Sequence, residues 1–378
     1  MRILDGAQAG WASRLALAAD GHGLSAAYQP IIDCARGTVV GYEALARFPG
    51  YTEKNPETWF AAARALSVSD QLEAATLRAA LSARRHLPPN CFLTVNISPD
   101  LLNSELIRRI WREEGNLAGL VVELTEQAAI DSYRDLEPDL NQLRSAGALI
   151  AVDDAGAGYA GLRHLLSLRP AIIKIDRDLI HDVDRDEAKR ALIEMLGTFA
   201  SRVDAWILAE GVETAEELDA LAGLGVPLVQ GYYLGRPGDP WARIAGEAAL
   251  RLASRNQVEH STTLRAITEP AVTVHTVEEA AGVFASDPRL QTVVLVDGEN
   301  RRPVCLVHAA GAAMGVVNDG MRANLDTPVH EALARCMTRP DVERFDPVLV
   351  TDNAGRFAGI ARMERLITAL TAAHETLL

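Results

Sequence analysis

The stretch Ala148–Gly161, ALIAVDDAGAGYAG, constrains the fold of this chain more than any other. Apolar residues run straight into the adjacent carboxylates Asp153 and Asp154, and Gly156 and Gly158 follow at once. The segment therefore reads as a buried strand that stops at a flexible loop. A strand buried on both faces belongs to a parallel sheet. Neighbouring strand residues point to opposite sides, so both carboxylates serve one site only where the strand ends and the backbone turns. Such ends are where α/β folds hold their ligands. Alone, an Asp-Asp pair after an apolar run is more often a helix cap or a turn than chemistry. Its weight comes from recurrence.

Taken in order, residues 7–20 have apolar residues at helical spacing and predict a short N-terminal helix. Tyr28–Ile32, a turn at residues 33–37, and Thr38–Leu45 read as strand, turn, strand, and so short a connection permits only an antiparallel pair. Trp59–Leu87 then reads as one or two helices, and Cys91–Val95 as a strand ending at Asn96 and Ser98. Leu101–Arg112 is helical, Leu120–Val122 leads into Glu123, and Leu136–Ala146 is a helix closed by Gly147. After the strand of Asp153 come a helix near Leu162–Leu168, the strand Ala171–Ile173 delivering Lys174, and the helix Glu187–Ser201. Trp206–Ala209 ends at Glu210, Ala215–Leu224 is a helix, and Val226–Val229 ends at Gln230. This alternation predicts a (β/α) barrel rather than an open sheet, although pattern alone separates the two poorly. In a barrel, Asn96, Glu123, Asp153, Asp154, Lys174, Glu210 and Gln230 would share one ring around one pocket.

That ring would gather Glu43, Glu123, Asp153, Asp154, Glu210 and Glu213 against the single Lys174. Each like-charge pair about 6 Å apart costs roughly 2–3 kcal/mol at an effective dielectric near ~20. Summed over many pairs, this exceeds the stability of a typical domain, about 5–15 kcal/mol. Either several carboxylates hold protons or divalent cations neutralise them. Oxygen ligands without His or Cys favour Mg²⁺, Mn²⁺ or Ca²⁺ over Zn²⁺. Two adjacent Asp residues suggest two ions bridged by one carboxylate, an arrangement that activates water for attack on phosphorus. The 9 His residues are scattered without ligand spacing.

Composition narrows the partners. The net charge of −14 disfavours a long nucleic-acid backbone but not a small phosphorylated substrate held through cations. No long charge-free apolar run predicts membrane insertion, and the first thirty residues lack a basic start followed by an apolar core. Cys34, Cys91, Cys305 and Cys336 lie far apart, which signals neither a zinc site nor a disulfide framework. A reducing cytoplasm is the expected compartment.

The motifs YQPI (Tyr28–Ile31), EALAR (Glu43–Arg47), NIS (Asn96–Ser98), ELTE (Glu123–Glu126), DDAGAGY (Asp153–Tyr159), KID (Lys174–Asp176), AEGVE (Ala209–Glu213) and QGYYLGRP (Gln230–Pro237) occur in this order. Together they resemble the EAL-domain family of cyclic-di-GMP phosphodiesterases over roughly residues 24–240. The resemblance implies an α/β fold, a modified TIM (β/α)8 barrel with an antiparallel strand. It implies Glu43, Asn96, Glu123, Asp153 and Asp154 as ligands of two Mg²⁺ or Mn²⁺ ions, with Ca²⁺ binding without supporting activity. Lys174 would hold the nucleophilic water, and Glu210 would be a metal ligand or the general base. Glu213 and Gln230 would fix ligand orientation. Gln29, Leu45, Arg47, Gln230, Arg236 and Pro237 would contact substrate, Arg47 at a phosphate. Glu126 would anchor the loop carrying Gly156, Gly158 and Tyr159, the loop that couples metal binding to dimerisation in the family. Here Ala155, Ala157, Ala160 and Gly161 replace the usual Phe, Thr and two Ser of that loop. The implied reaction is hydrolysis of cyclic di-GMP to linear pGpG by a homodimer, with a receptor that binds without cutting as the alternative.

Beyond residue 250 a repeat emerges: Val293–Val307 and Pro347–Ala361 align without a gap. Each reads strand, turn, strand, preceded by a helix at Val277–Ala285 or Val329–Cys336. The two units resemble a CBS-domain pair, a smaller α+β module whose role would be regulation or dimerisation through an unknown ligand. Ala310 and Arg365 stand near the places of the Asp that often holds a ribose in such modules. The expected organisation is an N-terminal helix over 1–23, a barrel over 24–250, a linker over 251–265 and the CBS-like domain over 266–378.

Overall fold

The computed structural model of the chain describes residues 6–124, 136–153, 168–203, 205–256, 263–297, 301–312, 314–353 and 355–375. The chain divides into two compact units, Met1–Leu196 with Trp206–Ala253 and Ser254–Leu378 with Gly197–Ala205.

In the first unit the strands β1 (Ser25–Asp33), β2 (Thr38–Arg47), β3 (Phe92–Ile97), β4 (Leu120–Leu124), β5 (Leu149–Val152), β6 (Ile172–Ile175), β7 (Trp206–Ala209) and β8 (Leu228–Val229) form a closed barrel in chain order. The choice between barrel and open sheet is thus settled. β1 runs antiparallel to both neighbours, and all other adjacent strands are parallel. Inward residues alternate along each strand, and an apolar floor of Ile31, Phe92, Val121, Ala151, Ile172, Leu208 and Leu228 fills the lower barrel. The floor is tight at Gly41, where an added Cβ would stand 2.5 Å from the Phe92 ring.

β8 is short because β1 needs little of it. Only Ile32 and Asp33 pair with Val229 and Leu228, and above them the edge of β1 is met by Gly238, bridged to Tyr28. Trp241 packs beside this bridge, 5.1 Å from the Tyr28 ring and 5.0 Å from the Tyr42 ring. The predicted N-terminal helix forms over Gly6–Ala19. It is no separate piece, since Leu15 and Ala18 share a buried cluster with Phe48, Trp59, Ala63 and Leu72.

The predicted helical region Trp59–Leu87 resolves into Pro56–Ala65 and Ser69–Leu81. Asn55 caps the first of these through Oδ1 on the Glu57 amide, and Pro56 suits its first turn. Pro99–Leu101 forms a 3-10 turn, so the expected helix at Leu101 begins only at Glu105. The helix expected near Leu162–Leu168 lies outside the described residues, apart from Leu168.

The second unit holds two three-stranded sheets: β9 (Thr273–Val274), β10 (Thr292–Val296) and β11 (Pro303–His308), then β12 (Arg322–Asn324), β13 (Val348–Thr351) and β14 (Phe357–Ala361). In each, the middle strand pairs parallel with the first and antiparallel with the last. The aligned repeat is therefore a repeat of topology. Val294, Val296 and Leu306 of one sheet share a buried cluster with Leu349 and Ile360 of the other. The helix Gly246–Asn256 runs through the boundary expected at residue 250.

Candidate active site

Backbone ladders carry the site residues to one end of the barrel. Asn96 and Glu123 are register partners on β3 and β4. Asp153, Glu210 and Gln230 each stand one residue past a strand, and their amides still donate to the neighbouring strand, to Leu124 O at 3.3 Å, Ile175 O at 3.0 Å and Ala209 O at 2.8 Å. Glu43 lies inside β2, which continues past its parallel neighbour β3 in its pairing with β1. Leu45 and Arg47 follow on the same face by alternation.

Lys174 sits at the centre, with its side chain 3% exposed. Its Nζ donates to Glu123 Oε1, lies 2.6 Å from Glu210 Oε1, 3.5 Å from Glu43 Oε1 and 3.6 Å from Asp153 Oδ1. Asn96 Nδ2 donates to Glu43 Oε1 at 3.1 Å, which leaves the amide carbonyl outside that bond. Gln230 Nε2 donates to Glu43 Oε2 at 2.6 Å and to Gln29 Oε1 at 3.1 Å, and Gln29 Nε2 donates to Gly235 O at 2.9 Å. One chain of amides thus ties β1, β8 and the GRP segment to Glu43.

Four carboxylates face one ammonium, and the imbalance shows in their proton affinities. Burial, with repulsion from Glu43, Asp153 and Glu210, holds the Glu123 carboxyl well above the usual range against the pull of Lys174. Burial, joined by Glu43 and Asp153, pushes Glu210 up to about 8, again against Lys174. Burial alone would lower Lys174, but Glu123, Glu210, Glu43 and Asp153 outweigh it and raise it well above the ordinary lysine range. These neighbours keep the ammonium charged.

As placed, no three His, Cys, Asp or Glu among the described residues stand ready to share an ion; the Lys174 ammonium holds the centre. The donor chemistry nonetheless fits hard divalent cations: carboxylates and one amide carbonyl, in negative excess. Buried oxygens without a partner among the described residues, Glu123 Oε2 and Gln230 Oε1, add acceptor capacity in the same ring.

Other expected residues lie apart from this cluster. Glu213 does not join the ring; it pairs with Arg177 at 3.0 Å. The Arg236 guanidinium lies 4.3 Å over the Tyr232 ring, and Arg47 Nη1 donates to Ala46 O at 2.9 Å. Pro237 follows Arg236 in the segment that meets β1. Asp154, Glu126, Gly156, Gly158 and Tyr159, with the replaced loop positions, lie outside the described residues.

A family model for the EAL domain matches residues 12–237. The chain belongs to the EAL domain family. The antiparallel β1 is the strand that modifies this EAL barrel, and a CBS domain model matches residues 321–372 in the second unit. Among named relatives, the EAL domain is 32% identical over 221 residues to the cyclic di-GMP phosphodiesterase NbdA of Pseudomonas aeruginosa, a match covering 56% of this chain and 28% of NbdA. It is 30% identical over 217 residues to the probable cyclic di-GMP phosphodiesterase PdeB of Escherichia coli, covering 54% of this chain and 41% of PdeB. The chain therefore spans less than half the length of these relatives. Among solved structures, PaMucR phosphodiesterase in complex with c-di-GMP matches with a TM-score of 0.55 and 26% identity, covering 61% of this chain and 98% of that one. Klebsiella pneumoniae BlrP1 in its pH 9.0 manganese and cy-diGMP complex matches at 0.52 and 29%, covering 58% and 57%.

Sequence reading passed over the groups that brace this EAL site. Glu217 accepts from the amides of Glu213 (2.8 Å), Thr214 (3.1 Å) and Asp182 (3.2 Å), tying the loops after β6 and β7 together. Its signal was the capping-box spacing Thr214 to Glu217. Glu73, on the helix Ser69–Leu81, is 5% exposed and accepts from Ser98 N at 2.9 Å and from Ser98 Oγ. Its signal was an acid in the apolar row with Leu77 and Leu81, at i, i+4 and i+8.

Proposed function

We propose that this EAL domain is a divalent-metal-dependent phosphodiesterase that opens one phosphodiester of cyclic di-GMP to give linear pGpG. The observation that carries the reading is the ring of Glu43, Glu123, Asp153 and Glu210 around the buried Lys174 at the barrel mouth. Such an excess of buried carboxylate is costly unless protons or cations offset it. Protons are the answer in the metal-free state, as the raised Glu123 and Glu210 indicate. Support for cations comes from BlrP1, whose structures are complexes of manganese or calcium with cyclic di-GMP.

Glu43, Asn96, Glu123, Asp153 and Asp154, with Glu210 as a further candidate, would hold two Mg²⁺ or Mn²⁺ ions, and Ca²⁺ would bind without turnover. Bound ions supply an acidified water and neutralise the phosphate. In the hydrolysis the water oxygen bonds to phosphorus, the P–O3′ bond breaks, and the water proton passes through a base to the departing O3′. Lys174, kept protonated by its neighbours, would orient the water as a donor. Glu210, 2.6 Å from Lys174 Nζ, would be a metal ligand or, once bound cations have displaced its own proton, the general base. Gln230, fixed between Gln29 and Glu43, would hold Glu43 in its ligand rotamer. Gln29, Leu45, Arg47, Arg236 and Pro237 would meet the substrate, and Glu213 would act through the loop it shares with Arg177.

A homodimer in a reducing cytoplasm completes the reading. Cys34, Cys91, Cys305 and Cys336 lie far apart in the sequence with no paired spacing, and no described helix is long and apolar enough to cross a membrane. The CBS-like unit would regulate or dimerise the enzyme. The test is hydrolysis of cyclic di-GMP by the purified chain with Mg²⁺ or Mn²⁺, followed by separation of linear product, with calorimetric binding in Ca²⁺ alongside. Product that vanishes on chelation supports the enzyme; tight binding without product makes the chain a receptor.

A further inference from the structure

We propose that Glu73 is a positioning residue for metal binding: it fixes the backbone of Ser98 and so the reach of Asn96 into the barrel mouth. The inference rests on the metal-dependent reading above. Glu73 lies on the outer helix Ser69–Leu81, among the buried Leu72, Ala74, Ala75 and Leu77. A carboxylate there is expensive to bury. Both its oxygens are spent on one residue, Oε2 on the Ser98 amide and Oε1 on the Ser98 hydroxyl. Ser98 is the first residue past β3, whose pairing with β4 ends at Ile97 and Leu124. Its amide has left the ladder, and its carbonyl starts the 3-10 turn by accepting from Leu101 N at 2.9 Å. Glu73 therefore sets where β3 ends and the chain turns. Asn96 lies two residues upstream, within β3, hydrogen-bonded to Glu43 at 3.1 Å.

A helix packed on the outside of the barrel thus holds the backbone that aims an inner side chain. The role is geometric, and a Gln reproduces it: Oε1 accepts from the Ser98 amide, and Nε2 donates to Oγ. The experiment measures Ca²⁺ binding by calorimetry and thermal unfolding in chelator for the full chain and four variants. Glu73→Ala is expected to weaken Ca²⁺ by on the order of tenfold, the range for loss of a group that orients a ligand. Glu73→Gln is expected to stay within about threefold of the parent, and Ser98→Ala to weaken binding about threefold, each group still offering part of the same hydrogen bonding. Asn96→Ala serves as the reference for the ligand itself.

Parental Ca²⁺ affinity in Glu73→Ala, with Asn96→Ala impaired, overturns the positioning role and leaves the metal reading standing. Glu73→Gln as weak as Glu73→Ala places the effect in charge and also overturns it. Should Glu73→Ala fail to fold, Ser98→Ala decides, and unchanged affinity there is the overturning result. Parental binding in Asn96→Ala removes the metal reading and this inference with it.

Discussion

At the scale of single residues, the site is a contest between desolvation and charge. Glu123 and Glu210 keep protons in the folded, metal-free protein at pH values where the unfolded chain has released them, since burial and like charges raise both. The sign follows. From the unfolded carboxylate value near ~4.5 upward the folded state binds more protons than the unfolded one, so stability falls as pH rises. For Glu210 the loss runs until its folded value of about 8 is passed. Thermal unfolding in chelator should therefore show a midpoint that drops between pH 5 and 8, and saturating Ca²⁺ should flatten the slope. A midpoint rising over that window contradicts the assignment. Glu43 joins three partners, Lys174, Asn96 and Gln230. Glu43→Ala is expected to abolish detectable Ca²⁺ binding and cut turnover by about a hundredfold or more, the upper range for losses at a metal site, with the circular dichroism spectrum unchanged.

At the scale of elements, the barrel strands were legible where an apolar segment runs straight into a motif, as at Ile150–Val152 before Asp153 and Ile172–Ile173 before Lys174. The antiparallel hairpin was legible from its short turn alone. What was hidden is what lacks a run: β9 has two residues and β12 three, each stabilised by pairing rather than by its own composition. Glu73 and Glu217 were hidden for another reason. The row position of Glu73 and the capping-box spacing of Glu217 mark the acids, but their partners are largely backbone amides, so the pattern does not show what they hold. The loop after β8 depends on one close approach, since a Cβ on Gly231 would stand 2.1 Å from Val212 O, while Val212 N donates to Gln230 O at 3.0 Å. Gly231→Ala is thus expected to destabilise the chain by about 1–3 kcal/mol through overpacking. Because Gln230 holds Glu43, kcat should fall as well, and denaturation together with steady-state kinetics would reveal either effect missing.

At the scale of the molecule, the two units own separate cores, the barrel floor of Ile31, Phe92 and Val121 and the shared sheet cluster of Val294, Leu306 and Leu349. Scanning calorimetry should resolve two transitions. Mn²⁺ at a hundred times its dissociation constant should raise the barrel's by the equivalent of about 2.7 kcal/mol and leave the other in place. A single transition that moves whole would show that the units unfold together. The reversed first strand has a further consequence. Ser25 pairs with Arg47, the last residue of β2, so the polypeptide is threaded into the barrel from the rim that carries Lys174. In a uniformly parallel barrel it would enter through the floor. A sensory segment spliced ahead of β1 would hence deliver its torque directly to the rim, at the doorstep of Gln29 and Glu43.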